Sequence, residues 1–191
     1  MTEHVILCHG WDGRTNLGPM EWQTFAPILM SAGYEVWSPS LGKDNVANAD
    51  IIAGFVGLQP AGERVHLVAH SMGGLSSRYY LKYFVGHERV STYIALDTPQ
   101  YGASWWKAFW FGNTAQLWEG STFIKNLNSP DATPGDTTYV QLTCDYTQLL
   151  PGAYTKALTG VTHTDMVTDP ATLNLVVRIL QGDYSELTFN G

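Results

Sequence analysis

The sequence predicts an α/β fold in which about six mostly parallel strands are flanked by helices on both faces. Three observations carry that expectation. Short segments rich in β-branched and aromatic residues alternate with helical patterns along the 191 residues, as in a parallel sheet joined by crossover helices. The stretch "VHLVAHSMGG", residues 65–74, is an apolar run built for burial that stops at a serine and passes straight into an amphipathic pattern. A hydrophobic fraction of 45% against 14% charged residues supplies a large core for one domain and argues against disorder.

Six segments fit strands: His4–Cys8, Tyr34–Ser38, Arg64–His70, Thr92–Leu96, Thr138–Thr143 and Leu158–Thr162. Between the first two, "EWQTFAPILMSAGY" predicts a short helix ended by Gly33, with Pro27 in its first turn, where the missing N–H costs nothing. After Ser71, Leu75, Tyr79, Leu81 and Tyr83 recur at mostly helical spacing. Near the end, "DPATLNLVVRILQ" opens with Asp169 as N-cap and Pro170 at the first helical position, then carries an apolar stripe. The one compositional shift is an aromatic-rich insertion at about 101–137 within a single domain spanning 1–191, holding Trp105, Trp106, Phe109, Trp110, Phe111 and Trp118. These rings either complete the core on one side of the sheet or form an apolar rim over a site, since so many exceed what one amphipathic face can hide. In the second case Trp105, Trp106, Phe109 and Trp110 are the expected substrate contacts.

Seventeen acidic against ten basic residues give a formal charge of −7, which opposes phosphate-rich partners and excludes a basic stripe for nucleic acid. No apolar run reaches the roughly 18 to 20 residues of a membrane helix. The N-terminus enters a strand without the features of a signal peptide. The expected location is therefore cytoplasmic if the start is native, and secreted if the chain is a mature form.

In a G-x-S-x-G elbow a strand turns sharply into a helix and lifts the serine hydroxyl clear of the backbone, with small neighbours that avoid collision. Here the motif is "AHSMG", with Ala69 in the first glycine position, and its strand-before, helix-after context fits. The plainer alternative is a buried serine capping a helix. A serine hydroxyl needs a base to accept its proton and a third group to hold that base in the right tautomer. Of six histidines, His70 adjoins Ser71 at a turn where neighbouring side chains diverge, His4 and His66 belong to strands, and His87 follows a helix. His163 lies past the last predicted strand and before the last helix, at the carboxyl edge where open α/β sheets place their sites. The acid is expected between serine and histidine in chain order. Asp145, directly after the strand "TTYVQLTC", is preferred; Asp97, in "ALDTPQYG", also ends a strand and competes, its plainer role being to cap the turn into Thr98 and Pro99. Two backbone N–H donors must face the oxygen that gains charge on attack. Met72, after the nucleophile, supplies one, and Trp11 in "CHGWDG" the other, with His9 and Gly10 allowing a tight approach.

With "ILCHGWDG", "VHLVAHSMGG", "RYYLKYF", "LTCD" and "GVTH" in hand, the chain resembles the α/β-hydrolase family, and within it the small bacterial lipases without a cap domain, including the minimal Bacillus lipases. Alanine before the His-Ser pair is a feature of those lipases, and "EGSTFIKNLN", residues 119–128, is similar to a G-S-x-F-x-x-x-L-N pattern in related ones. The resemblance implies hydrolysis of carboxylic esters of lipids by Ser71, Asp145 and His163, with Trp11 and Met72 as oxyanion donors. Trp11 is bulkier than the residue usual there. The resemblance further implies a strand order of second, first, third, fourth, fifth, sixth. Cys8 and Cys144 would then lie about 14 Å apart, beyond the roughly 7 Å a disulfide spans, so both are expected to stay reduced. The expected substrate is a small-molecule or lipid ester, met by a monomer with at most transient contact at a lipid interface. No cofactor or metal is expected. Other chemistries fit the same three residues, namely a thioesterase, amidase or acyltransferase, and a non-catalytic ligand-binding homologue is a further alternative.

Overall fold

The computed structural model describes residues 3–11, 18–104, 112–144 and 148–191. Seven strands form one sheet: β1 (Glu3–Cys8), β2 (Glu35–Trp37), β3 (Arg64–His70), β4 (Val90–Leu96), β5 (Thr138–Thr143), β6 (Ala153–Ala157) and β7 (Thr188–Asn190). Their order is β2-β1-β3-β4-β5-β6-β7. The first six are parallel and β7 closes the edge antiparallel to β6. The helices are α1 (Phe25–Ser31), α2 (Asn45–Gly57), α3 (Met72–Tyr83), α4 (Thr122–Leu127) and α5 (Pro170–Leu180).

Strand periodicity sorts the core into two layers. Val5, Leu7 and Val68 point to one face, where α1 and α5 bring Phe25, Leu29, Leu173, Val176 and Ile179. Ile6, Val65, Leu67 and Ala69 point to the other, where α2 and α3 bring Ile52, Val56, Tyr80 and Leu81. The central strands carry helices on both faces, so β3 is buried nearly throughout.

The predicted helix ending at Gly33 is α1, and Gly33 takes φ +98° as the chain turns. Asp169 caps α5, its Oδ2 accepting from Thr172 N–H at 2.8 Å, with Pro170 at the first position. The sixth strand is Ala153–Ala157 rather than Leu158–Thr162. "AYTKA" pairs with β5, and the turn at Gly160, with φ +81°, ends the extended run before it can form a ladder. Helix α2 escaped the sequence because its buried side includes Asn45 and Asn48. Each side chain finds a hydrogen-bond partner: Ser76 donates to Asn45 Oδ1 at 2.8 Å, and Asn48 donates to Lys43 O at 2.9 Å. Edge strand β7 is three residues long and mostly exposed, too short to register as a pattern.

Arg78 on α3 is buried with no carboxylate paired to it among the described residues, and burial lowers its pKa. Its guanidinium donates to Gln100 Oε1, Asn128 Oδ1 and Ala132 O, each at 3.0 Å. These bonds tie Gln100, just before the insertion, and Asn128 and Ala132 within it to α3. From the insertion, Leu117, Ile124 and Leu127 pack on Met72 and Leu75 at the start of α3. Trp105, Trp106, Phe109 and Trp110 lie outside the described residues. Cys8 and Cys144 are not bonded to each other; their strands β1 and β5 stand three intervals apart.

Candidate active site

The carboxyl ends of β1, β3 and β4 meet the loop before α5 at one point. Between β3 and α3, Ser71 adopts φ +52° and ψ −126°, a conformation that non-glycine residues rarely accept. Two features hold it. Ser71 N–H donates to Leu96 O at 3.0 Å, and the start of α3 is pressed against β1 and β4. A Cβ on Gly73 would lie 2.3 Å from Cys8 O and 2.4 Å from His9 O; one on Gly74 would lie 1.9 Å from Thr98 Oγ1. The paired glycines therefore serve close approach, as the motif requires.

Ser71 Oγ lies 3.1 Å from His163 Nε2. On the far side of the ring, His163 Nδ1 lies 2.6 Å from Asp97 Oδ2. The carboxylate that meets the imidazole is thus Asp97, the competitor in the sequence reading, in the position expected of Asp145. Asp145 itself lies outside the described residues. The reason is local: Asp97 follows β4 with φ +45°, its N–H donates to Leu142 O at 2.7 Å, and this turn aims the carboxylate at His163. With Nδ1–H donated to Asp97, Nε2 is left to accept the Ser71 proton.

Asp97 Oδ1 accepts from Thr143 Oγ1 and from Cys144 N–H, both at 3.0 Å, and Oδ2 accepts from Cys144 Sγ at 3.1 Å. Burial alone would raise its pKa, but the bonds from His163, Cys144 and Thr143 outweigh it and hold the carboxyl well below the ordinary 3.8. A folded-state value below the unfolded one adds stability that is fully present above the ordinary value and is lost as pH falls through the depressed one. Urea midpoints followed from about pH 5 to about pH 2 should fall less steeply for Asp97→Asn than for the wild type.

The loop after β1 closes the other side. A Cβ on Gly10 would stand 2.9 Å from Ser71 Cβ, so only glycine lets the loop lie against Ser71. His9 fixes the loop from behind: Leu41 N–H donates to His9 Nε2, so the ring proton sits on Nδ1 and donates to Gly10 O, both at 2.7 Å. Trp11 follows, 41% exposed. Met72 stands at the first position of α3, where a backbone N–H has no intrahelical acceptor. Gly10, Trp11, Ser71, His163, Thr164 and Val167 are among the residues around an open cleft of about 250 Å³.

Two further residues at this cleft escaped the sequence reading. His70 does not simply diverge from Ser71: its ring lies 4.7 Å from the His163 ring, and its Nε2 donates to His163 O at 2.9 Å. Its Nδ1 pairs with Glu21, whose other oxygen accepts from Gly10 N–H at 3.2 Å. The available sign was a histidine placed where a strand ends against a turn; nothing in the sequence pointed to Glu21.

The model of the alpha/beta hydrolase family matches residues 5–185. The chain belongs to that family. No curated protein matches the sequence. Among solved structures, this alpha/beta hydrolase is similar to the propeptide form of Bacillus licheniformis lipase BlEst2, with a TM-score of 0.79 and 18% identity over 100% of this chain and 51% of that one. It is similar to polyneuridine aldehyde esterase, at 0.62 and 16% over 95% of this chain and 100% of that one. A metagenomic carboxyl esterase matches at 0.60 and 16% over 73% of this chain and 49% of that one. At these identities the likeness is one of fold, and this alpha/beta hydrolase spans about half the length of the carboxyl esterase and of the BlEst2 propeptide form. Among the described residues, no helix is long and apolar enough to cross a membrane.

Proposed function

We propose that this alpha/beta hydrolase cleaves carboxylic esters, with lipid or acylglycerol esters as the favoured class, through an acyl-enzyme on Ser71. The observation that supports this most strongly is the chain from Ser71 Oγ to His163 Nε2 and from His163 Nδ1 to Asp97 Oδ2, at 3.1 and 2.6 Å. Each member does one thing. Ser71 Oγ attacks the ester carbonyl carbon as His163 Nε2 takes its proton, and Asp97 stabilises the imidazolium that forms. The oxygen that gains charge is met by the backbone N–H groups of Trp11 and Met72. On collapse, His163 returns the proton to the leaving alkoxide, which departs as the alcohol. Water then attacks the acyl-serine by the same route: His163 takes its proton, gives it back to Ser71 Oγ, and the acid is released.

An exposed Trp11 beside the cleft and the aromatic insertion favour acyl chains of appreciable length. Hydrolysis of p-nitrophenyl esters of increasing chain length tests both parts. Turnover should persist beyond butyrate and vanish in a folded Ser71→Ala variant. A collapse beyond butyrate would remove the lipid preference, and faster turnover of thioesters or anilides would move the leaving group to the alternative class.

A further inference from the structure

We infer that Glu21 and His70 form a positioning pair that holds the general base and the oxyanion loop in register around Ser71. This rests on the reading of Ser71 and His163 given above. The hydrogen bonds run in one line. Gly10 N–H donates to Glu21 Oε2, Glu21 Oε1 meets His70 Nδ1, and His70 Nε2 donates to His163 O. The two ends of this line are the two backbone segments that chemistry at Ser71 needs in place. Gly10 lies so near the nucleophile that a Cβ on it would stand 2.9 Å from Ser71 Cβ, and the peptide of His163 carries the imidazole.

A carbonyl oxygen can only accept, so His70 Nε2 carries a proton. One more proton lies between His70 Nδ1 and Glu21. The pair is net neutral whether written as imidazolium with carboxylate or as imidazole with carboxylic acid. That suits its surroundings: His70 is 6% exposed, and an uncompensated charge there would be costly. It also leaves Asp97 as the one carboxylate hydrogen-bonded to the His163 ring among the described residues.

The pair acts through main chain, so its loss should misplace reacting groups without removing a group that binds substrate. A displacement of about 1 Å at such a site costs on the order of 10²-fold in rate. Glu21→Ala is therefore expected to lower kcat by up to about 10²-fold with KM unchanged. Glu21→Gln should keep most of the wild-type kcat, because its amide can donate to a neutral His70 Nδ1 while its oxygen accepts from Gly10 N–H. His70→Phe keeps the ring volume and removes both bonds, and should behave like Glu21→Ala.

The measurement is kcat and KM on one p-nitrophenyl ester for these three variants and Ser71→Ala, with thermal unfolding of each. Wild-type kcat in folded Glu21→Ala or His70→Phe, a change confined to KM, or a Glu21→Gln variant as slow as Glu21→Ala overturns the pair's role. Failure of both Glu21→Ala and His70→Phe to fold assigns the pair to stability alone and overturns it too. Those outcomes leave the nucleophile assignment standing as long as Ser71→Ala is inactive; hydrolysis surviving in Ser71→Ala removes that assignment itself.

Discussion

Asp97→Asn is expected to lower kcat by about 10⁴-fold while KM changes little. The reason is the proton inventory around His163. Asp97 Oδ2 accepts from Nδ1 at 2.6 Å, which leaves Nε2 with a lone pair facing the Ser71 hydroxyl. An asparagine amide in that place can donate to Nδ1, driving the ring proton to Nε2, where it can no longer receive one from Ser71. The variant would also lose the negative charge that stabilises the imidazolium. Thr143 and the Cys144 N–H, which bond Asp97 Oδ1, still find an acceptor in asparagine, so the fold should survive. Asp145→Asn is the comparison, expected to leave kcat near wild type. A large loss in Asp145→Asn with activity retained in Asp97→Asn would reverse the assignment.

Gly73→Ala is the second large effect. Its Cβ would stand 2.3 Å from Cys8 O and 2.4 Å from His9 O, and backbone carbonyls at the end of a buried central strand cannot swing away as a side chain can. Either α3 lifts or the loop after β1 shifts. The first loosens the packing of Met72 and Leu75; the second moves Gly10 and Trp11 away from Ser71. Overpacking of this kind costs about 1–3 kcal/mol, at times more. The unfolding midpoint should drop accordingly, with kcat falling even where the variant is folded. Gly57→Ala is the control, since a Cβ there meets nothing within 4 Å.

The strand-to-helix turn at Ser71 and the approach of His163 to it were legible because their signals are local or topological. Ser71 is marked by an apolar strand, a turn and a helix within a dozen residues, and His163 by its place between the last parallel strand and the last helix. The carboxylate that meets His163 was less legible. Asp97 ends β4 and Asp145 follows β5, and these strands pair directly with Leu96 opposite Leu142. Both carboxylates therefore satisfy chain order and sheet edge. What brings Asp97 to His163 is a left-handed turn and donors from Thr143 and Cys144 across the strand gap, neither of which leaves a mark in the sequence. The same holds for Glu21, which reaches Gly10 from 11 residues away and His70 from 49. Helix α2 was hidden for another reason: buried asparagines that bond to Ser76 and Lys43 break the apolar stripe by which helices are found.

The most direct test is covalent. An alkyl fluorophosphonate phosphonylates an activated serine with loss of fluoride, and the modified peptide can be located by mass spectrometry. One adduct on Ser71 is expected, formed at least tenfold more slowly in Asp97→Asn, in line with the loss of base activation. A folded protein that hydrolyses esters yet takes no label at Ser71, or takes it at another residue, would contradict the assignment of Ser71 as nucleophile.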